Sequence, residues 1–287
     1  MTGEHAATPL VSAAEQDVKI YERNETVMTT MQWDPTQYLT YGDHRLRPFV
    51  ELMSRVLAKS PANIVDLGCG PGNATVLLSE RWPEASVVGV DNSEEMIADA
   101  KSREIRGKLR FALGDAYSVV SASPIDVLIS NATLQWVPGH LQEFGRYIDM
   151  LSTDGWFAFQ IPGMRLSASH SFIYDLAGSA PWVDQLGPFI RQNEIASTEQ
   201  YIETLTGLGC EVDAWETTYF QLLEGDDAVL EWTKGSSLRP FTSALNEIDT
   251  AEFVALVREG LAKAYPKGPA GTIYPFRRVF VVAHRNG

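Results

Sequence analysis

Cysteine is nearly absent: Cys69 and Cys210 are the only two in 287 residues, too few and too far apart for a disulfide framework or a zinc knuckle, which favours a reducing compartment. Histidine is also sparse, and His5, His44, His140, His170 and His284 form no ligand-spaced pair, so no metal is expected. Basic residues are outnumbered, 23 Lys and Arg against 37 Asp and Glu, for a formal charge of -14. That field repels nucleic acid and anionic lipid, so neither is an expected partner, and an anionic ligand must be caught by local cationic groups. No apolar run approaches the roughly 18 to 20 residues of a membrane span. The first residues carry Glu4 and lack an apolar stretch, so neither a signal nor a transit peptide is expected there. These absences together lead to the expectation of a soluble, cytoplasmic protein. What is present, 45% apolar and 21% charged residues, suits a folded chain of one large α/β domain or two small ones.

Residues 1–31 show no sustained period of 3.6 or 2 and read as a flexible N-terminal extension; Gln32-Trp33-Asp34-Pro35 opens the folded part, read as one domain over 32–287. A helix is expected over Arg45–Leu57, with Leu46, Phe49, Val50, Met53 and Leu57 on its inward face. The runs Asn63–Leu67, Ser86–Val90, Leu109–Leu113, Ile125–Ser130 and Trp156–Ile161 are too continuously apolar for half-exposed strands and suit a parallel sheet buried on both faces. Between them a helix after Gly72 stops at Pro83, Ser93 is placed to cap the next, and a third from Gly139 presents Leu141, Phe144, Ile148 and Leu151 before Asp154-Gly155 turns into the fifth strand. This alternation predicts a doubly wound α/β sheet with right-handed crossovers. Beyond Pro162-Gly163 helices are expected at 170–178, Thr198–Leu208, 226–234 and 250–265. In the second, Ile202, Leu205 and Leu208 face inward, and the last is opened by Asp249 and Glu252 at capping-box spacing. Glu211–Phe220 and Phe276–His284 read as two further strands. The sheet core is placed at about 45–163 plus 209–220 and 276–287, and a helical cap at about 164–208 and 221–275.

The chemistry concentrates at strand ends. Asp66-Leu67-Gly68-Cys69-Gly70-Pro71-Gly72 sets an acid and alternate glycines between a strand and a helix, where backbone can approach a ligand closely. The third glycine of a dinucleotide fingerprint would fall at Asn73, which counts against a pyrophosphate-binding turn. Asp66 instead suits a ligand ammonium, such as the methionine end of S-adenosylmethionine. Asp91 ends the second strand, where a carboxylate can accept from both ribose hydroxyls, with Asn92 beside it. Asp115 ends the third, where it can accept from an adenine amino group while the Ala116 N–H donates to a ring nitrogen. Each acid alone also fits an ordinary solvated turn; three at successive strand ends fit one adenosyl-shaped ligand. A nicotinamide enzyme of the short-chain type would need Tyr-x-x-x-Lys, which is absent. A base methylase would show Asn-Pro-Pro-aromatic where this chain has Asn131-Ala132-Thr133-Leu134.

These motifs resemble the class I S-adenosylmethionine-dependent methyltransferases, and within them the trans-aconitate 2-methyltransferase family. The similarity is carried by Trp33-Asp34-Pro35 and Tyr38-Leu39, Arg45-Leu46-Arg47-Pro48, the glycine loop, Asn131-Ala132-Thr133-Leu134-Gln135-Trp136 and Gln160-Ile161-Pro162. Toward the C-terminus it continues in Gly209-Cys210-Glu211-Val212-Asp213, Thr217-Thr218-Tyr219, Leu238-Arg239-Pro240 and Arg278-Val279-Phe280. One departure is Gly163-Met164, where the family continues Asp-Asn or Gly-Asn. The resemblance implies a Rossmann-like doubly wound seven-stranded sheet with a helical cap near the C-terminal strands. It implies S-adenosyl-L-methionine as cofactor, S-adenosyl-L-homocysteine as product, and no metal. Cofactor binding would fall to Tyr38, Arg45, Asp66, Gly68, Gly70, Asp91, Asn92, Asp115, Ala116 and Asn131, with Tyr41 able to close beside Tyr38. Substrate binding would fall to Trp136, Gln160, His170, Tyr219, Arg239 and Arg278, Trp136 and Tyr219 also positioning the reactants.

A sulfonium leaving group departs neutral and a carboxylate is already ionised at pH 7, so neither a general acid nor a general base is required. Positioning and electrostatics remain, with Arg239 and Arg278 as the candidate carboxylate forks. The expected reaction is methyl ester formation on a small polycarboxylic acid, trans-aconitate first. The alternative is methylation of another small acid or hydroxyl metabolite, and an adenosyl-binding regulator ranks behind both. A small anionic metabolite is the expected partner, and oligomeric state is left open.

Overall fold

Among the described residues nine strands carry the architecture: β1 (Val18–Ile20), β2 (Asn63–Leu67), β3 (Ser86–Asp91), β4 (Leu109–Leu113), β5 (Val119–Ser121), β6 (Ile125–Asn131), β7 (Leu151–Pro162), β8 (Cys210–Leu223) and β9 (Thr272–Arg285). Seven form one sheet in the order β4-β3-β2-β6-β7-β9-β8, and β1 pairs antiparallel with β5 in a separate ribbon. The computed structural model describes residues 18–20, 42–164, 167–192 and 195–287. They fall into two compact units: residues up to Gln160 with Ser197–Ala214 and Phe280–Gly287, and Ile161–Ala196 with Trp215–Val279.

In the first unit the parallel pairings β4·β3, β3·β2, β2·β6 and β6·β7 follow from the apolar runs, since β2, β3 and β6 are buried almost end to end. Register sets Asp66 against Gly89 and Ile129, Asp91 against Leu113, and Asn131 against Gln160. The carboxyl ends of these strands therefore finish along one edge, where ligands of open α/β sheets bind. Asp154-Gly155 is not a turn before β7 but a bulge inside it: Ile125 pairs with Leu151 and Val127 with Trp156, and Asp154 has φ 63°. Of residues 1–31, Val18–Ile20 pair in register with Val119–Ser121, and the others lie outside the described residues.

Helix faces differ from expectation. Helix Gly42–Ser54 and the turn after it bury Phe49, Leu52, Met53 and Val56, while Val50 and Leu57 are exposed. Helix Thr198–Gly207 buries Tyr201 and Leu205 and leaves Ile202 and Leu208 out. Tyr201 also explains why this helix, placed in the cap from sequence, groups with the sheet unit. Its hydroxyl donates to His140 Nε2 at 2.8 Å, while Nδ1 donates to Val137 O at 3.2 Å, and its ring stacks on Phe144.

The second unit is an aromatic-cored helical assembly on the outer halves of β8 and β9. Helices Ala168–Ala177, Val183–Gln192, Ala228–Lys234, Arg239–Ala244 and Glu247–Ala264 supply it. Trp182 lies edge-on to Phe253 at 5.3 Å, and Phe241 contacts Tyr174, Phe189 and Phe253. Val183–Gln192 and Arg239–Ala244 were not expected; each contains a proline, and Pro240 lies in the first turn, where the missing N–H costs nothing. Helix Glu247–Ala264 opens on Asn246, not Asp249: the Asn246 side chain accepts from Asp249 N–H at 3.0 Å.

Candidate active site

The glycine loop leaves β2 with Gly68, Gly70 and Gly72 at φ 79°, 55° and 81°, a left-handed run that side-chain-bearing residues resist. A Cβ on Gly68 would sit 2.0 Å from Thr133 Oγ1, and one on Gly72 would sit 2.6 Å from Phe111. One on Gly70 would meet nothing within 4 Å, so that glycine faces open space.

Asp66 is buried below this loop. Thr75 Oγ1 donates to its Oδ2 at 2.6 Å. Burial raises its pKa from 3.8 to about 7, opposed by the Thr75 bond and assisted by the nearby Asp91 charge. Asp91 ties the loop to β3: Gly70 N–H donates to Oδ2 at 2.8 Å and Ser93 N–H to Oδ1 at 3.0 Å. Burial pushes its pKa up against those bonds. Ser93 in turn caps helix Glu94–Ala100 by accepting from Met96 N–H, and Asn92 is exposed beside it. Asp115 accepts from Tyr117 N–H at 2.7 Å and Ser118 N–H at 2.8 Å, both on Oδ1. Ala116 is buried, its carbonyl accepting from Tyr147 and Arg146.

At the end of β6, Asn131 Oδ1 is a buried acceptor with no partner among the described residues, as is Gln135 Oε1. Ala132 has φ 55°, a left-handed conformation costly for alanine, held by its N–H donating to Gln160 O at 2.8 Å. Thr133 Oγ1 donates to Gly68 O at 3.2 Å and so fastens this turn to the glycine loop. Gln160 is fully buried, and Trp136 half-buried. Tyr38 and Tyr41 lie outside the described residues; Arg45 is on helix Gly42–Ser54, its side chain likewise outside them. The first unit therefore brings together Asp66, Gly68, Gly70, Asp91, Asn131 and Gln160, with Thr75, Thr133 and Gln135 added. Gln135 was visible inside the Asn131–Trp136 run; Thr75 gave only the weak signal of a hydroxyl just after the glycines.

In the second unit Arg278 lies within β9, only 3% exposed, its guanidinium 4.7 Å from the Phe276 ring centroid. Tyr219 is buried, and Arg239 begins its short helix half-buried. His170 Nδ1 lies 3.2 Å from Ser167 Oγ and 3.3 Å from Ser169 Oγ, and burial lowers its pKa to about 4, so it is neutral at pH 7. The departing pair Gly163-Met164 is structural: Gly163 N–H donates to Arg277 O at 2.9 Å, and Met164 Sδ accepts from Arg277 N–H at 3.2 Å. Arg277 itself grips Glu216 with two guanidinium nitrogens. Among the described residues no group of three His, Cys, Asp or Glu could hold a metal, and no helix is long and apolar enough to cross a membrane.

The sheet order and the strand-end arrangement are those of the class I methyltransferases. Residues 64–155 match the methyltransferase domain family. The fold agrees with that of a Haemonchus contortus phosphoethanolamine N-methyltransferase solved with S-adenosyl-L-methionine, at TM-score 0.56 and 16% identity over 94% of this chain and 62% of that one. Sequence is closer elsewhere: 50% identity over 260 residues to trans-aconitate 2-methyltransferase of Streptomyces avermitilis, 88% of this chain and 97% of that protein. The Streptomyces coelicolor enzyme of the same name is 46% identical over 266 residues, 90% of this chain and 88% of that protein. The chain belongs to the trans-aconitate 2-methyltransferase family.

Proposed function

We propose that this protein transfers a methyl group from S-adenosylmethionine to a carboxylate of trans-aconitate in the cytoplasm, a small anion being its partner. The observation that carries the donor assignment is the buried, unanswered Asn131 Oδ1, two residues before the Thr133 that packs on Gly68, with Gly70 open beside the loop. A buried acceptor at that place fits an ammonium group. When bound, the donor supplies an electrophilic methyl on a sulfonium.

The chain's own residues bind and orient. Asn131 and Asp66 hold the ammonium, Arg45 reaches the donor's carboxylate, and Tyr38 closes over the donor. Asp91, whose oxygens keep lone pairs beyond the two backbone bonds described, accepts from the ribose, with Asn92 adjacent. Asp115 and the Ala116 N–H read the adenine edge. Arg239 and Arg278 fix the acid's carboxylates, while Trp136, Gln160 and Tyr219 position it and the neutral His170 offers a hydrogen bond. No proton transfer is asked of any of them, because the nucleophile is already anionic.

The test is incubation with methyl-labelled donor and a panel of small acids, read by mass spectrometry. A base-labile monomethyl ester of trans-aconitate is the expected product. A base-stable product, or turnover of no tricarboxylic acid, would overturn the assignment.

A further inference from the structure

The second unit contains two buried polar atoms that no described residue answers: Gln221 Oε1 on β8, and Ser237 Oγ between helices Ala228–Lys234 and Arg239–Ala244. Gln221 is 4% and Ser237 6% exposed, so bulk solvent does not answer them either. Folded proteins seldom leave such groups unpaired without a bound partner to complete them.

Their placement suggests the partner. Along β8, Tyr219, Gln221 and Leu223 are buried while Phe220 and Leu222 are exposed, so Gln221 belongs to the covered face. On the neighbouring β9, Tyr274, Phe276 and Arg278 are buried and Ile273 is exposed. Arg278 stacks over Phe276, and Trp232 of helix Ala228–Lys234 meets that ring at 5.5 Å. Ser237 follows this helix in a turn fixed by Leu238 N–H donating to Thr233 O at 3.0 Å. An amide, a hydroxyl and a guanidinium thus belong to strands and a turn organised around one aromatic pair.

We propose that Gln221 and Ser237 are specificity-determining residues which, with Arg278, form a subsite in the second unit for a non-reacting carboxylate or hydroxyl of the acid substrate. The inference rests on the acid-methylating reading above. Arg278 supplies the charge and a planar fork. Turned to present its NH2, the Gln221 amide donates to a carboxylate as the Ser237 hydroxyl does, so they complete a second polar function on the ligand, whereas an acid with an apolar tail leaves both unanswered. Sites of this construction discriminate strongly against ligands that lack the polar group.

The test uses the full chain with Gln221→Met, which keeps volume and removes the amide, and Ser237→Ala. Parent and variants are assayed with trans-aconitate and with a monocarboxylic enoic acid of similar length, alongside donor Kd and Tm. In each variant kcat/KM for the tricarboxylate should fall about tenfold or more, chiefly through KM, while the monocarboxylate changes less than about twofold. Donor Kd should hold and Tm should hold or rise. Unchanged discrimination in both variants overturns the inference, and so does a joint fall of both acids with Tm, the mark of a structural water bridging the two atoms. If the parent turns over no tricarboxylic acid, the functional reading fails by itself. The subsite is then judged by calorimetric binding of the same acids with S-adenosylhomocysteine present, where equal affinities in parent and variants, or no binding by the parent, overturn it.

Discussion

Asp66 is where the proposed donor binding and the protein's stability meet in one residue. Its folded-state pKa of about 7 stands above the ordinary 3.8 because burial penalises the ionised form more than the Thr75 bond favours it. The folded protein therefore keeps a proton that the unfolded chain has lost between pH about 4 and about 7. The group's contribution is whole below the lower value and is lost as pH rises through the upper one, on the order of 4 kcal/mol in total. Asp66→Asn should flatten the fall of Tm between pH 5 and pH 8 and leave the variant more stable than the parent at pH 8. In the proposed donor site, ionisation creates the charge that faces the ammonium, so the parent's donor Kd should tighten from pH 6 to pH 8 and the variant's should not. Parallel Tm profiles, or parallel Kd profiles, would remove Asp66 from these roles. The acids were legible in the sequence because Asp91 and Asp115 follow runs of strand length and Asp66 lies near the end of one, and the glycines fixed which end of that strand is meant. What each acid bonds to was not legible. Asp91 spends bonds on Gly70 and Ser93, and Asp115 on Tyr117 and Ser118, through turns whose geometry no spacing rule specifies.

At the scale of elements, strands were read better than helix faces. A strand buried on both sides is a continuous apolar run, so its limits appear directly, as in β2. A helix with apolar residues on more than one side leaves its inward face open. Leu57, Ile202 and Leu208 have suitable spacing, yet Leu52, Val56 and Tyr201 are the buried ones. Caps are similarly ambiguous when polar residues cluster. In Asn246-Glu247-Ile248-Asp249 the structure uses Asn246, which accepts from Asp249 N–H and donates to Asp249 Oδ2 at 2.7 Å. Asn246→Ala should accordingly cost about 1 kcal/mol, a lower urea midpoint with unchanged m, whereas Glu252→Ala should fall within about 0.5 kcal/mol of the parent. The reverse order of costs would restore the cap expected at Asp249.

At the scale of the whole molecule the dominant quantity is the charge of -14, and it acts oppositely on the two reactants. A tricarboxylate approaches against the protein's field, and a cationic donor approaches with it. The field reaches far at low salt, where the Debye length is about 30 Å at 0.01 M, and is cut to about 10 Å at 0.1 M. A buried guanidinium such as Arg278 acts at contact distance, inside low-dielectric surroundings, and is screened much less. Raising salt from 10 to 100 mM should therefore relieve the long-range repulsion before it weakens the local grip. For trans-aconitate kcat/KM should rise severalfold over that range, and a monocarboxylic acid should respond less, in keeping with its smaller charge. Donor Kd should weaken over the same range, so the two reactants serve as controls for each other. A tricarboxylate kcat/KM that falls monotonically with salt from 10 mM would show that a cationic surface, not a buried guanidinium within a repelling field, governs capture of the acid.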